Sequence, residues 1–128
     1  MELISTKICK TSDIGVNDNL FGGTMLSWLD EAGAIMSCDK INSKSVVTLK
    51  IEEVLFKLPV KVNDHIKIYG EIIKVGNSSL TLKLEARKRN FNEVQKETPV
   101  CSTNVVFVQI DADGHSLKFT EEQLKNIK

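Results

Sequence analysis

The fold is decided by one stretch of the chain, Thr24–Cys38, which reads TMLSWLDEAGAIMSC. Its apolar residues recur every three to four positions, which is the spacing of one face of an α-helix. They are Met25, Trp28, Leu29, Ala32, Ile35 and Met36. Most residues between them are also small or apolar, and a helix that is apolar on nearly all sides belongs inside a protein. We therefore predict a buried central helix that the rest of the protein must cover.

Beyond this helix, apolar and polar residues alternate as they do in the strands of a sheet. The predicted strands are Leu3–Lys10, Ser45–Phe56, His65–Val75, Ser79–Arg89 and Pro99–Ile110. Residues 58–64 are predicted to be a connection, 90–98 a polar break, and 120–128 a short polar helix at most. Hairpin-length connections make the sheet antiparallel. Either the sheet curls around the helix or a second subunit helps to cover it. The predicted fold class is α+β, a curved antiparallel sheet wrapped around one long helix, in a single domain over residues 1–128.

Composition excludes several classes of protein. Seventeen Lys+Arg balance seventeen Asp+Glu among 128 residues, and this zero net charge disfavours broad nucleic-acid binding. The apolar stretches are too short to span a membrane, and Met1-Glu2-Leu3 does not begin a signal peptide. The three cysteines, Cys9, Cys38 and Cys101, lie far apart without a CxxC or Cys/His cluster. We expect a reduced cytoplasmic protein with no metal, no cofactor, no membrane partner and no nucleic-acid partner.

Familiar catalytic motifs are absent from the sequence. It contains no GxSxG, P-loop, GxGxxG or HExxH pattern. The two histidines, His65 and His115, fall in a predicted turn or strand start, where solvated surface is a better interpretation than a catalytic triad.

Asp30 is the main candidate for chemistry, because it lies in the middle of the apolar helix. An ionised carboxylate buried without partners is unfavourable, so its presence needs a reason. Two interpretations are open. Asp30 and Glu31 can share the one polar stripe of the helix and touch solvent or a strand hydroxyl. Alternatively, Asp30 is a general base or a nucleophile at the floor of a cleft.

The pair Gly22-Gly23 precedes the predicted helix and is the second candidate. Free N–H groups at a helix start suit a developing oxyanion or a thioester carbonyl. The alternative is that the glycines only allow a tight turn and close packing. Asp30 follows Gly23 by seven residues, about 10 Å along a helix, whereas a base must lie within about 3.5 Å of the reacting atom. The sequence therefore favours a dimer with a shared site, or no enzyme.

The segment Asn19–Ala34 resembles the signature of hotdog-fold acyl-CoA thioesterases, in the pattern N-x-x-G-G-x-x-x-x-x-x-D-E-A. Further matches follow in the family's order: Val47-Thr48, Phe56-x-x-Pro59-Val60-x-Val62-x-Asp64 and Val75-Gly76-Asn77-Ser78-Ser79-Leu80. Together they cover roughly Asp13–Val108. The resemblance implies a hotdog fold, two subunits that join their sheets edge to edge, and hydrolysis of acyl-CoA to free CoA and a carboxylic acid.

The resemblance also implies roles for individual residues. Asp30 is the base or the nucleophile, and the backbone N–H of Gly23 or Gly22 polarises the carbonyl. Asn19 positions the thioester or the water from the other subunit; some relatives carry Asp there, and Asn cannot act as a base. Whether Asn19 or Asn17 partners Asp30 is left open.

Substrate contacts are implied for Asn17, for Thr48 and for two groups near the CoA phosphates. These groups are the turn of Gly76, Asn77, Ser78 and Ser79, and the basic pair Arg87 and Lys88. Phosphates prefer cationic and hydrogen-bonding partners, although a plain hairpin and a solvated strand end are the alternatives. Phe21 stands near the place where many hotdog relatives carry His, which excludes a His-based dehydratase mechanism.

Two other functions are compatible with the same predicted fold. One is a non-catalytic acyl-CoA or acyl-carrier binding module, which needs no carboxylate. The other is a pure assembly domain, which the pairing of Gly-Gly with Asp disfavours. The expected assembly is a homodimer, with further association into a tetramer or a hexamer left open.

Overall fold

The computed structural model describes residues 1–94 and 96–127. Its elements are β1 (Glu2–Ile8), two single 3-10 turns (Thr11–Asp13 and Val16–Asp18), α1 (Gly22–Ile41), β2 (Val46–Phe56), β3 (His65–Val75), β4 (Ser79–Asn90), β5 (Lys96–Gln109) and α2 (Glu121–Ile127). Every predicted element is present. The central helix is longer than predicted, and β5 begins inside the predicted polar break. Within the described ranges, neither helix has the length and hydrophobicity needed to cross a bilayer.

The five strands form one antiparallel sheet in the order β1-β3-β4-β5-β2. The alternating residues of β4 that face α1 are fully buried: Leu80, Leu82, Leu84 and Ala86. From α1 the core receives Met25, Leu29, Ala32, Met36 and Ile41. The helix contacts all five strands, which a flat sheet would not allow. The α+β fold with a sheet curved around one helix is thus confirmed.

Gly33 sets how closely α1 approaches the sheet. A Cβ atom on Gly33 would lie 2.6 Å from the Phe107 ring and 2.9 Å from Leu84. Real Cβ atoms do not come that close to a neighbour, so only glycine fits between the helix and the centre of the sheet.

One stripe of α1 stays uncovered in a single chain. Ser27, Glu31, Ile35 and Asp39 recur every fourth residue and are exposed, with Ile35 at 43%. The helix is therefore not buried on all sides, because the sheet wraps only part of its circumference. Edge strand β2 is also open, and its Leu49 side chain is 67% exposed.

Candidate active site

The predicted site residues separate into two groups at opposite ends of the sheet. The first half-site contains Asp30, Thr48 and the β3–β4 turn at 76–79, beside the start of β2. The second half-site contains Asn17, Asn19, Gly22 and Gly23 at the start of α1, beside the end of β2. One chain therefore does not bring Asp30 and the helix start together, as the helix spacing predicted.

In the first half-site, a strand hydroxyl fixes the Asp30 carboxylate. Thr48 Oγ1 donates a hydrogen bond of 2.6 Å to Asp30 Oδ1. No described residue donates a hydrogen bond to the second oxygen, Oδ2. The contact agrees with the structural interpretation of Asp30. It also holds a carboxylate in one orientation with a free oxygen, as a base or a nucleophile requires.

The turn at 76–79 lies on the same side of the molecule as Asp30. Thr48 on β2 and Leu80 on β4 both pair with Phe107 of β5, so two strand spacings, about 10 Å, separate them. The Gly76 N–H donates to the Ser79 carbonyl at 2.8 Å and closes the hairpin. The predicted turn is therefore present, next to the first half-site.

In the second half-site, the first N–H groups of α1 are free. The N-cap residue is Phe21, whose side chain makes no capping hydrogen bond, and no described residue accepts a hydrogen bond from the N–H of Gly22 or Gly23. These groups lie at the positive end of the helix dipole, which favours a negatively charged oxygen.

The glycines beside Phe21 also have a packing role. A Cβ atom on Gly23 would lie 2.8 Å from the Phe21 ring, and one on Gly15 would lie 2.9 Å from it. The ring is wedged between two residues without side chains. The close-packing interpretation of Gly23 therefore also applies, alongside its free N–H.

A cavity of about 480 Å³ adjoins this helix start. It is lined by Val16, Asn17, Asn19, Leu20, Phe21, Gly22, Met25, Phe56, Lys57, Leu58, Pro59, Val60, Val100 and Cys101. We call it the helix-start cavity. The Oδ1 atom of Asn19 is buried without a hydrogen-bond partner among the described residues, so this acceptor is unsatisfied in the single chain. Burial raises the pKa of the Cys101 thiol to about 11, so this part of the cavity wall stays neutral.

Arg87 and Lys88 are held by neighbouring side chains. The Arg87 guanidinium lies 2.9 Å from a Glu85 oxygen and 4.1 Å above the Tyr69 ring, while Lys88 Nζ lies 3.9 Å from Asp64. Along β4, Arg87 is eight residues from Ser79, about 26 Å in a strand. Placing both groups around the same phosphates was therefore wrong for a single chain, because they lie at opposite ends of one strand.

Both histidines lie on the surface, as expected. His65 is exposed and packs edge-on against Phe91 at 5.0 Å between ring centroids. The side chain of His115 is 80% exposed.

The helix-start cavity was not predictable from the sequence. Its walls come from three separate segments, residues 16–25, 56–60 and 100–101. Phe56, Pro59 and Val60 belong to the family-like pattern, but no role followed from that match. Apolar residues that line a cavity look the same in a sequence as apolar residues that fill a core.

A family model described as the thioesterase superfamily matches residues 17–94. The chain belongs to the thioesterase superfamily. The matched range contains both half-sites and every residue that we predicted to act in catalysis or binding.

Relatives of known sequence or structure agree with this membership. An uncharacterized acyl-CoA thioester hydrolase of Haemophilus influenzae is 30% identical over 128 residues, which is 98% of this chain and 82% of the relative. The acyl-CoA thioester hydrolase YciA of Salmonella typhimurium is 27% identical over 88% of this chain and 86% of its own. A hexameric hotdog-fold thioesterase of Campylobacter jejuni is 30% identical, with a TM-score of 0.85 over 98% of this chain and 95% of that one. The sheet around one helix is the hotdog fold.

Proposed function

We propose that this thioesterase-superfamily protein hydrolyses acyl-CoA to free CoA and a carboxylic acid. The observation that carries the proposal is that the chain holds both an oriented Asp30 carboxylate and unused N–H groups at the start of α1, in two separate half-sites. A carboxylate can act as the base or the nucleophile of thioester hydrolysis, and the N–H groups of a helix start can stabilise the developing oxyanion.

The chemistry follows from these two groups. The N–H of Gly23 or Gly22 binds the carbonyl oxygen, which becomes negative when the carbon is attacked. If Asp30 is the base, it takes a proton from the attacking water; the C–S bond then breaks, the proton passes to the sulfur of CoA, and the acyl group leaves as a carboxylic acid. If Asp30 is the nucleophile, its attack forms an anhydride and breaks the C–S bond, and the CoA thiolate is protonated by water; a second water then cleaves the anhydride, which releases the carboxylic acid and restores Asp30. Asn19 orients the thioester or the water.

A homodimer through β2 completes the site in this proposal. Two copies of β2, Val46–Phe56, pair along their full length when they cross at Ile51, and this places Thr48 of one subunit opposite Val54 of the other. Val54 precedes Phe56 by two residues, which is about 7 Å along a strand. Phe56 in turn adjoins the helix start, because a Cβ atom on Gly22 would lie 3.4 Å from its ring. Asp30 of one subunit then faces the helix start of the other.

The remaining parts of the proposal concern the substrate and the assembly. The turn at 76–79 and Thr48 contact CoA from the side of the first half-site, and Asn17, Arg87 and Lys88 contact it from the other subunit. The dimers assemble into a hexamer, like the Campylobacter jejuni relative. The protein works as a single hotdog domain over residues 1–128 in the cytoplasm, where its three free cysteines stay reduced.

Hydrolysis is tested with a panel of acyl-CoA esters, from acetyl to palmitoyl, and a chromogenic reagent that reports the released thiol. We expect thiol release together with an equal amount of carboxylic acid. Binding of acyl-CoA without any release of thiol would instead support the non-catalytic binding module.

A further inference from the structure

We propose that the side chains of Gln109 and Gln123 form an amide pair that positions the turn at 76–79 for CoA. The two residues do not touch the substrate themselves; they act through the turn, so they are positioning residues. The inference rests on the proposed function, in which this turn contacts CoA. It gives the C-terminal segment, residues 116–127, a part in substrate binding.

The C-terminal segment contacts the turn directly. The Phe119 N–H donates a hydrogen bond to the Asn77 carbonyl at 2.8 Å, and the Gln109 N–H donates one to the Ser78 carbonyl at 2.9 Å. No described residue accepts a hydrogen bond from the N–H of Asn77 or Ser78. Successive N–H groups of a turn can bind an anion such as a phosphate. Two carbonyl groups of the turn are therefore bound to the protein, while two of its donors stay available for phosphate oxygens.

The amide pair connects the C-terminal segment to the sheet and to both helices. Gln123 Nε2 donates to Gln109 Oε1 at 2.6 Å and to the carbonyl of Ile41, the last residue of α1, at 3.1 Å. Gln109 Nε2 donates to the Leu117 carbonyl at 3.1 Å, and the Leu117 N–H donates to the Gln109 carbonyl at 2.8 Å. The Thr120 N–H donates to Gln123 Oε1 at 3.0 Å. Leu117 and Thr120 are thus both held by the amide pair.

Phe119 lies between these two held positions, and its side chain is 9% exposed. Its N–H can reach Asn77 only while residues 117–120 stay against the end of β5. The amide pair therefore controls where the turn lies relative to the rest of the first half-site. Asp30 receives its hydrogen bond from Thr48 and not from the C-terminal segment. Loss of the pair should consequently weaken CoA binding and leave the chemical step intact.

The use of amides at these positions is informative, because Gln109 is only 3% exposed. A buried amide without partners is unfavourable. An apolar side chain of similar size would fill the same space, but apolar contacts have no direction. The amide pair therefore supplies orientation in addition to packing, and the two effects can be measured separately.

Three variants separate them. Gln123→Leu removes the pair and keeps the approximate size of the side chain. The double variant Gln109→Leu/Gln123→Leu leaves neither amide buried without its partner, so its free energy of unfolding should equal or exceed that of Gln123→Leu. Asn126→Leu is the matched control, because it also exchanges an amide for leucine on α2, at an exposed residue whose side chain bonds to no described residue.

The kinetic test compares an acyl-CoA with the N-acetylcysteamine thioester of the same acyl group, which has no phosphates. In Gln123→Leu and in the double variant, kcat/KM for the acyl-CoA should fall about tenfold through KM, as for the loss of one hydrogen bond to a charged group. The kcat for the acyl-CoA and the kcat/KM for the N-acetylcysteamine thioester should stay at wild-type values. Asn126→Leu should match the wild type on both substrates.

A purely structural role of the amide pair gives a different pattern. Both substrates would then lose kcat/KM equally, or the double variant would regain CoA affinity together with stability. Either pattern would overturn the inference.

Calorimetric titration with CoA measures binding without turnover. We expect Kd to rise about tenfold in Gln123→Leu and in the double variant, and to stay unchanged in Asn126→Leu. An unchanged Kd in Gln123→Leu would refute the positioning role even where hydrolysis is found. If the wild type releases no thiol from any ester while Gln123→Leu still weakens CoA binding, the proposed enzyme fails and the positioning role stands.

Discussion

Asp30 combines a fixed orientation with an available oxygen atom. Its Oδ1 accepts the Thr48 hydroxyl at 2.6 Å, and Oδ2 has no donor among the described residues. Asp30 is only partly buried, so its second oxygen can be hydrated and the contact alone does not separate a structural from a catalytic role.

The substitution Asp30→Asn tests whether the Asp30 carboxylate acts in catalysis. The substitution keeps the shape of the side chain and removes its charge, so we expect kcat/KM to fall roughly 10²- to 10⁴-fold, as for a lost general base. The free energy of unfolding should stay equal or rise slightly, because no charge is left unpaired. Asp39→Asn, on the exposed stripe of the same helix, is the control and should leave turnover unchanged. Wild-type turnover in Asp30→Asn would make Asp30 structural.

Because of Cys101, we expect the free energy of unfolding to depend on pH in the alkaline range. Burial raises its pKa from 9.0 to about 11, so between these values the thiol ionises in the unfolded chain before it does in the folded one. In this range the folded state keeps a proton that the unfolded chain has lost. The free energy of unfolding is therefore highest below pH 9 and falls as the pH rises toward 11. Urea titrations at pH 8 and pH 10.5 should show a smaller loss of stability in Cys101→Ala than in the wild type. Equal losses in both proteins would contradict the assignment.

At the scale of elements, the close approach of α1 to the sheet depends on Gly33. Gly33→Ala puts a methyl group 2.6 Å from Phe107, and we expect a loss of about 1–3 kcal/mol, typical of an overpacked core. Gly22→Ala in the same helix is the matched control for stability, because its Cβ meets Phe56 at an ordinary 3.4 Å. Chemical denaturation of both variants measures the difference. Equal stability of the two would show that the helix moves away from the sheet without cost.

The elements themselves were predictable from the sequence, because burial of one face is a local pattern. The alternation Leu80, Leu82, Leu84 in β4 and the helical spacing around Leu29 sufficed to place them. The position of β2 beside β5 was not predictable, since it depends on pairing between segments distant in the sequence, such as Thr48 with Phe107.

The candidate site was only partly predictable, for the same reason. Asp30, Asn19 and the two glycines lie in one continuous stretch, which carries both the helix start and the carboxylate. The Arg87 guanidinium contacts Tyr69 and Glu97, which lie on the neighbouring strands β3 and β5. These partners of Arg87 come from other strands, so its local environment was not predictable from the sequence.

At the scale of the whole molecule, the two half-sites can be tested by mixing subunits. Asp30→Asn and Asn19→Ala damage different half-sites, so a mixed dimer contains one intact site and one that carries both changes. Asn19→Ala should lower turnover less than Asp30→Asn, because it removes positioning and leaves the base. After random exchange, half of the dimers are mixed and each mixed dimer has one intact site of two, so we expect about a quarter of wild-type turnover in addition to the residual activity of the unmixed dimers. Light scattering should give at least the mass of a dimer for each protein. Turnover that equals the average of the two parents would place both half-sites in one chain.

The distance of about 10 Å between Gly23 and Asp30 along α1 also has a consequence for the living cell. If only paired chains are active, the amount of this protein determines both how many chains are present and what fraction of them works. Below the dissociation constant of the dimer, the number of pairs grows with the square of the total concentration. At low expression, doubling the synthesis of the chain would therefore quadruple the rate at which acyl groups are released.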